Sequence, residues 1–149
     1  MQKEFNLSEV FLAKTDEEIL SCFDAFEALR PHIENKEQFL AQVHRQRDQS
    51  YNIVGVRAGN NVPSAAGFRL AEFMAWGKVL YVDDLTTLPE FRGNGYGAVL
   101  MDWLIEHAKS NGCQALHLDT GYGRHDAHRL YLKKGLELKS HHLAIEFGL

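Results

Sequence analysis

Cysteine is scarce in this sequence, and long apolar runs are missing from its N-terminal part. The two cysteines, Cys22 and Cys113, lie far apart and outside any spacing that binds a metal, so we interpret both as buried free thiols of a cytoplasmic protein. The N-terminal 25 residues contain acidic and basic side chains throughout. This pattern excludes a signal peptide and a membrane span from that stretch.

The sequence also lacks a strong excess of either charge. Its 149 residues carry a formal net charge of -4, with a pI of about 6.0. A nucleic-acid partner or an anionic membrane partner is therefore not expected, and the predicted partner is small or cationic. The chain has no internal repeat and no low-complexity linker, and 45% of its residues are hydrophobic. These values predict one globular domain over residues 1–149.

Apolar periodicity predicts an α/β (α+β) fold in which helices flank a mixed sheet. Thr15 and Glu18 form a predicted capping box before the first helix, and residues 58–67 are expected to form a hairpin loop. The predicted segments are strand 10–13, helices 16–29 and 36–47, strands 51–58, 65–73 and 78–88, helix 95–109, strand 114–120, helix 125–134, and one or two final strands in 136–147.

Acidic residues are absent from the start of the predicted helix 95–109. An acid usually occupies the first turn of a helix, yet none occurs between Gly93 and Met101, and Arg92 stands just before them. The same stretch, FRGNGYG at 91–97, contains three glycines. Converging backbone N–H groups, a helix dipole and missing Cβ atoms together attract a phosphate group. We therefore predict an anion site here, with a tight turn that binds nothing as the alternative.

A dinucleotide is one ligand that such a turn could bind. Gly93, Gly95 and Ala98 match the dinucleotide fingerprint, and Asp119 follows at roughly the 20-residue distance of a ribose-binding acid. However, the strand before the turn is too polar for a buried first strand, and the chain after Asp119 is too short to complete a doubly wound sheet. A dinucleotide-binding protein is therefore the less favoured alternative.

A longer pattern resembles a known family. The segment LTTLPEFRGNGYGA at 85–98, followed by AHRLYLKKGL at 127–136, is similar to the two motifs of the GNAT superfamily of acetyl-CoA-dependent N-acetyltransferases. The resemblance extends over about residues 78–147, and the two leading helices fit the family's N-terminal part. It implies acetyl-CoA as cosubstrate, no metal, and a primary amine of a small molecule or peptide as acceptor.

The resemblance also implies which residues contact acetyl-CoA. Backbone amides of the glycine-rich turn would hold the pyrophosphate, and the strand end before the turn would pair with the pantetheine arm. One departure is Arg124, which stands where many members have an asparagine that contacts pantetheine. The implied cofactor-binding residues are Leu85, Thr86, Thr87, Arg92, Gly93, Asn94, Gly95, Tyr96, Gly97, Ala98 and Arg124.

Three residues are candidates for the chemistry of acetyl transfer. The amine must lose a proton before it attacks the thioester, and the departing thiolate must gain one. The resemblance implies Tyr131 as the proton donor, with a packing role as its alternative. Asp83 and Asp84 are expected on opposite faces of their strand, so that only one faces the site, and we favour Asp84 as the base. Asp119 matches a position that is the base in some members, and it is the second candidate.

The remaining expectations concern metal, assembly and a second functional class. The histidines His117, His125, His128, His141 and His142 show no ligand spacing, so no metal site is predicted. A homodimer is predicted because residues 136–147 would otherwise leave an exposed apolar edge strand. Besides an N-acetyltransferase, the sequence is compatible with a non-catalytic acyl-CoA-binding sensor or interaction module.

Overall fold

The computed structural model describes residues 9–148, which form a five-stranded sheet with helices. Neighbouring strands are antiparallel except β4 and β5, which are parallel, so the prediction of a mixed sheet flanked by helices is confirmed. Two compact units are present, one ending at Leu118 and one beginning at Asp119. In chain order the elements are β1 (Val10–Ala13), α1 (Asp16–Ser21), α2 (Phe23–Leu29), α3 (Lys36–Arg47), β2 (Tyr51–Ala58), β3 (Asn61–Phe73), β4 (Gly77–Thr87), α4 (Tyr96–Ser110), β5 (Ala115–Leu118) and α5 (His125–Lys133).

The first helices pack on the sheet through a cluster of aromatic side chains. Phe23 and Phe26 of α2 lie with their ring centroids 5.6 and 5.5 Å from the ring of Phe39 on α3, and all three are buried. Each such ring contributes roughly 1.5–3 kcal/mol by leaving water. This packing fixes the ends of α2 and α3, and with them the link of residues 30–35 that joins the two helices.

The predicted helix 16–29 begins at its predicted capping box but is divided at Cys22. The Thr15 side chain accepts the Glu18 N–H, and the Glu18 side chain accepts the Thr15 N–H, as predicted. At the division, the Ser21 hydroxyl donates to the Glu18 carbonyl (2.5 Å), which a continuous helix would offer to the Cys22 N–H. The Cys22 N–H bonds instead to the Ile19 carbonyl (3.0 Å). A serine competing for a backbone acceptor therefore explains why α1 and α2 are separate helices.

The expected loop 58–67 is wrong, because β3 already begins at Asn61. Its composition resembles a loop, but Val62, Pro63 and Ser64 are buried. The Ser64 hydroxyl donates to the Thr86 carbonyl (2.8 Å), and the Pro63 carbonyl accepts the Leu88 N–H (2.8 Å). Contacts with the neighbouring strand thus override the local turn signal.

The expected strands in 136–147 are also wrong. The described residues after α5, 136–148, form neither helix nor strand. Their apolar side chains are largely exposed, with exposed fractions of 90% for Leu138, 87% for Leu143, and 78% for both Ile145 and Phe147. Alternation of apolar residues produces a strand only where a neighbouring backbone supplies hydrogen bonds. The homodimer predicted from this strand therefore loses the element on which it was based.

Candidate active site

A β-bulge in β4 brings two adjacent carboxylates to the same cavity. The register with β3 pairs Phe68 with Val82 and Gly67 with Asp84, so Asp83 is an extra residue on β4. Such an insertion shifts the alternation of side chains by one position. Asp83 and Asp84 consequently both line one cavity. The expectation that only one of them could face the site is wrong, because it assumed an unbroken strand.

Asp84 is held by two side chains from different elements. Tyr51 Oη donates to Asp84 Oδ2 (2.8 Å), and Arg30 Nε donates to Asp84 Oδ1 (3.0 Å). Burial, followed by the negative charge of Asp84, raises the pKa of the Tyr51 phenol well above its usual value. The phenol therefore stays protonated and remains a donor to Asp84.

A glycine on the central strand makes the Tyr51 contact possible. Tyr51 lies on β2 and Asp84 on β4, so the phenol must cross β3 to reach the carboxylate. It crosses at Gly67, where an added Cβ would lie 1.9 Å from Tyr51 Oη and 2.4 Å from Tyr51 Cζ. Ordinary contacts begin at about 3.4 Å. Any side chain at position 67 would therefore displace the tyrosine.

Asp83 forms a separate ion pair with Arg69. Arg69 Nε lies 3.1 and 2.9 Å from the two Asp83 carboxylate oxygens, and Arg69 Nη2 lies 2.8 Å from Oδ2. Burial raises the pKa of the Asp83 carboxyl, and the hydrogen bonds from Arg69 act in the opposite direction. The hydrogen bond to Asp83 in turn raises the pKa of Arg69. Each carboxylate of the bulge thus has its own arginine.

The cavity has a volume of about 450 Å³ and lies within the unit that ends at Leu118. The α2–α3 side contributes most of its apolar wall, and the strands contribute the charged wall. Its size is that of a site for a small ligand or a single side chain. Its lining residues are Phe26, Arg30, His32, Ile33, Phe39, Gln42, Val43, Gln46, Tyr51, Arg69, Tyr81, Asp83 and Asp84.

Beyond the bulge, β4 continues without β5 as its neighbour. The parallel pairing with β5 ends at Val82 and Leu118, whereas the pairing with β3 continues to Thr87. Leu85 and Thr86 are buried, and the Thr86 hydroxyl donates to the Ala25 carbonyl (3.0 Å). Leu85–Thr87 therefore do not pair with β5, and they form the strand end that the family resemblance assigns to the pantetheine arm.

The glycine-rich turn leads from this strand end into α4. Gly93 and Gly95 have φ angles of 81° and 85°, which favour glycine, and an added Cβ on Gly93 would meet no atom within 4 Å. Gly95 is the N-cap of α4 and has no side chain to bind the first N–H groups, and the first turn contains no acid. Asn94 Nδ2 donates to the Phe91 carbonyl (2.8 Å) and braces the turn. The helix begins at Tyr96, and Gly97 and Ala98 form its first turn.

Arg92 connects the glycine-rich turn to the end of β4. Arg92 Nε lies 3.4 Å from the Thr87 carbonyl, so the guanidinium links the end of β4 to the glycine-rich turn. The arrangement is a cradle of backbone N–H donors at the positive end of a 15-residue helix, with an arginine beside it. These residues fit an anionic group such as a phosphate.

The other expected site residues lie in the second unit. Tyr131 is the buried residue of α5, and burial raises the pKa of its phenol, while the charge of Arg124 lowers it. Arg124 is the N-cap residue of α5. The Asp119 carboxylate lies 3.3 Å from His142 Nδ1. Asp84 and the glycine-rich turn belong to the first unit, whereas Asp119, Arg124 and Tyr131 belong to the second.

Sequence reasoning missed three cavity residues, Arg30, Tyr51 and Arg69. Arg30 and Tyr51 lie at element ends, where a polar residue carries no pattern. Arg69 does carry a signal, because a charged residue in an otherwise apolar strand requires a partner when it is partly buried. Residues 9–148 contain no cluster of three or more histidine, cysteine or acidic side chains that could hold a metal ion.

The sequence of this chain matches a known protein family over most of its length. The profile of the acetyltransferase (GNAT) family matches residues 9–136, which include every strand and helix described. The chain belongs to the GNAT family. A curated relative, the aminoalkylphosphonate N-acetyltransferase of Salmonella typhimurium, is 39% identical over 54 residues, which cover 36% of this chain. The matches span 35 to 46% of the length of the curated relatives.

Solved structures show the GNAT fold along nearly the whole chain. An acetyltransferase from Trypanosoma brucei has a TM-score of 0.79 at 17% identity, covering 93% of this chain and 99% of its own. AAC(6')-Iy, solved in complex with the bisubstrate analogue CoA-S-monomethyl-acetylneamine, has a TM-score of 0.78 at 13% identity, covering 94% of this chain and 97% of its own. No helix among residues 9–148 is long and apolar enough to cross a membrane.

Proposed function

We propose that this GNAT protein transfers the acetyl group of acetyl-CoA to the primary amine of a small molecule or peptide. The observation that carries the proposal is the order of features along β4. Asp84 lines the cavity, and Leu85–Thr87, which follow it, do not pair with β5. The glycine-rich start of α4, which has no side-chain cap, comes next in the chain. A site for an amine and a site for an acyl donor are thus adjacent on one strand.

The acyl donor would be held by backbone groups rather than by a set of charged side chains. The turn Arg92–Ala98 would bind the pyrophosphate through its N–H groups, with Gly93, Gly95 and Gly97 admitting it close to the backbone. The edge of Leu85–Thr87 would hydrogen-bond the amide groups of the pantetheine arm. Arg124 would make a further contact, which the family resemblance alone implies.

On the amine side, Asp84 would accept a proton from the attacking amine, directly or through a water molecule. Its carboxylate receives hydrogen bonds from Tyr51 and Arg30, which come from different elements of the fold. Its orientation is fixed by contacts to both oxygens. Asp119 remains the second candidate for the base.

The departing thiolate would receive its proton from Tyr131. Burial raises the pKa of this phenol, so the hydroxyl is protonated near neutral pH, which is the state that a proton donor requires. Asp84 would then hold a proton from the amine and Tyr131 would have given one to the sulfur, and exchange with water would restore both groups before the next turnover. The product amide and free CoA leave the site.

The variant Gly97→Glu tests the acyl-donor site. A carboxylate in the first turn of α4 would add bulk and negative charge where we place the pyrophosphate, so calorimetry is expected to show at least about a tenfold loss of CoA affinity, the equivalent of about 1.4 kcal/mol. Gln38→Glu is the matched control, because it adds the same charge on α3 and keeps the acceptor that binds the Glu34 N–H. Unchanged CoA affinity in folded Gly97→Glu protein would refute the assignment.

The same protein distinguishes an enzyme from a sensor. Release of free CoA thiol across a panel of primary amines identifies the enzyme, whereas CoA binding without turnover on any amine identifies the non-catalytic acyl-CoA-binding module. A cytoplasmic location is a further part of the proposal, and the homodimer stays a prediction, although residues 136–148 form no strand that would support it. Light scattering at micromolar concentration tests the dimer against the 16.9 kDa monomer.

A further inference from the structure

The charges around the cavity are balanced. Its two carboxylates, Asp83 and Asp84, each pair with an arginine, at 2.8 Å for Arg69 and 2.9 Å for Arg30. A surface without excess negative charge gives no advantage to an acceptor that carries several positive charges. The same balance penalises any ligand that introduces a net charge it cannot compensate inside the cavity.

The two arginines differ in the number of N–H groups that remain without a hydrogen bond within residues 9–148. Arg69 uses Nε and Nη2 on Asp83, and its Nη1 donates to Gln49 Oε1 (3.1 Å). Arg30 uses Nε on Asp84 and Nη2 on Asp84 and the Asp83 carbonyl (3.3 Å). Arg30 Nη1 hydrogen-bonds to none of the residues that the structure describes. Because a guanidinium carries five N–H donors, two of them remain on Arg30.

Arg30 is also the more accessible of the two. Its side chain is 43% exposed, against 24% for Arg69, and it lines the cavity from the link between α2 and α3. Guanidinium groups bind carboxylates and phosphates well, because their planar donors match the geometry of these anions. An anionic group at Arg30 would then lie beside Asp84, the residue proposed to receive the amine's proton.

The remaining wall of the cavity suits a short carbon chain. Phe26, Ile33, Phe39 and Val43 supply its apolar part. A ligand with an amine at one end, an anionic group at the other and methylene groups between them would match the carboxylates, the free donors of Arg30 and the apolar side chains of the cavity. With a carboxylate as the anionic group, such a ligand carries no net charge, which agrees with the balanced charges of the cavity.

We propose that the acceptor is a small amine that also carries an anionic group, a carboxylate, phosphonate or phosphate, and that Arg30 binds this group. The proposal rests on the acetyltransferase function proposed above and specifies its substrate class. Arg30 is thereby a residue that determines specificity, in addition to its contact with Asp84.

Matched pairs of amines test the substrate class. β-Alanine is compared with its methyl ester, and 2-aminoethylphosphonate with ethanolamine, so that each pair differs in the anionic group. The kcat/KM for each, measured by release of CoA thiol, is expected to favour the zwitterion by about 10- to 100-fold, the range for a hydrogen bond to a charged group. The two zwitterions also distinguish a carboxylate from a phosphonate acceptor.

Variants of Arg30 test the residue. In Arg30→Gln the preference for the zwitterion should fall to near unity, mainly through KM, and Arg30→Lys should retain part of it. Tyr51→Phe is the control, because it also perturbs Asp84 but leaves the anion donors, so it should lower both members of a pair equally. An unchanged preference in Arg30→Gln would show that Arg30 acts only through Asp84 and would overturn the proposal.

Calorimetry separates failure of this proposal from failure of the proposed function. Binding of both matched pairs is measured on protein saturated with CoA, without any turnover. In either pair, tighter binding of the amine with the anionic group that disappears in Arg30→Gln supports the inference even if no amine is acetylated. Equal binding within both pairs, or no binding of any of the four amines, refutes it even if another amine is acetylated.

Discussion

Replacing Gly67 with alanine tests whether Tyr51 is what holds Asp84. The new Cβ would lie 1.9 Å from Tyr51 Oη, and ordinary contact begins at about 3.4 Å, so the phenol must move by about 1.5 Å. That movement breaks the 2.8 Å hydrogen bond to Asp84. Overpacking costs about 1–3 kcal/mol and loss of a hydrogen bond to a charged group about 1.5–3 kcal/mol. We therefore expect Gly67→Ala to lower the free energy of unfolding by roughly 3–5 kcal/mol.

Backbone strain does not contribute to this expectation, because Gly67 does not have a positive φ. Urea unfolding gives the stability, and kcat/KM gives the effect on the base. Tyr51→Phe removes only the hydroxyl, so it should lose less stability than Gly67→Ala but lower kcat/KM, because Asp84 has lost one of the two side chains that orient it. Gly121→Ala is the control, since an added Cβ there meets no atom within 4 Å.

A double-mutant cycle isolates the contact. In a Tyr51→Leu background the ring is gone, so adding Gly67→Ala should cost much less than it does in the parent protein. Stability within about 0.5 kcal/mol of the parent, together with an unchanged kcat/KM in Gly67→Ala, would refute the reasoning. Equal costs of Gly67→Ala in the two backgrounds would show that the alanine acts elsewhere.

The remaining predictions concern Tyr131 and His107. Tyr131→Phe should lower kcat by about 100-fold, the lower end for loss of general acid catalysis, with little change in acetyl-CoA affinity; an unchanged kcat under conditions where chemistry limits would leave Tyr131 a packing residue. His107 stacks on Trp103 with centroids 4.5 Å apart, and burial lowers its pKa from 6.5. The unfolded chain therefore binds the proton first, so stability is lost as the pH falls below 6.5, and urea unfolding should show a smaller loss for His107→Phe.

Most of the secondary structure could be predicted because it depends on local patterns. The capping box at Thr15, the apolar stripe of α3 and the glycine-rich start of α4 each act within a few residues, and the structure contains them. The separation of α1 from α2 depends on which donor reaches one carbonyl, and the early start of β3 depends on the strand beside it. Such competition between hydrogen bonds is not visible in periodicity.

The candidate site also has a part that the sequence could predict and a part that it could not. The turn at 92–98 is contiguous, so its residues could be assigned from the motif. The surroundings of Asp84 are built from residues 54 and 33 positions away in the sequence, Arg30 and Tyr51, which no spacing rule connects. The bulge at Asp83 arises from the register between β3 and β4, and a strand read in isolation cannot show it. Long-range contacts therefore account for what the sequence analysis missed.

The position of Arg30 has a consequence for how acceptor preference could change. Arg30, His32 and Ile33 all line the cavity from the short link between α2 and α3, whereas Asp84 and the turn that follows it belong to β4 and α4. Libraries of substitutions confined to residues 30–35 would vary the acceptor wall and leave the acyl-donor elements intact. If the amine binds as proposed, its recognition would be separable from that of the acyl donor, and this link would be a compact target for directed evolution towards new acceptors.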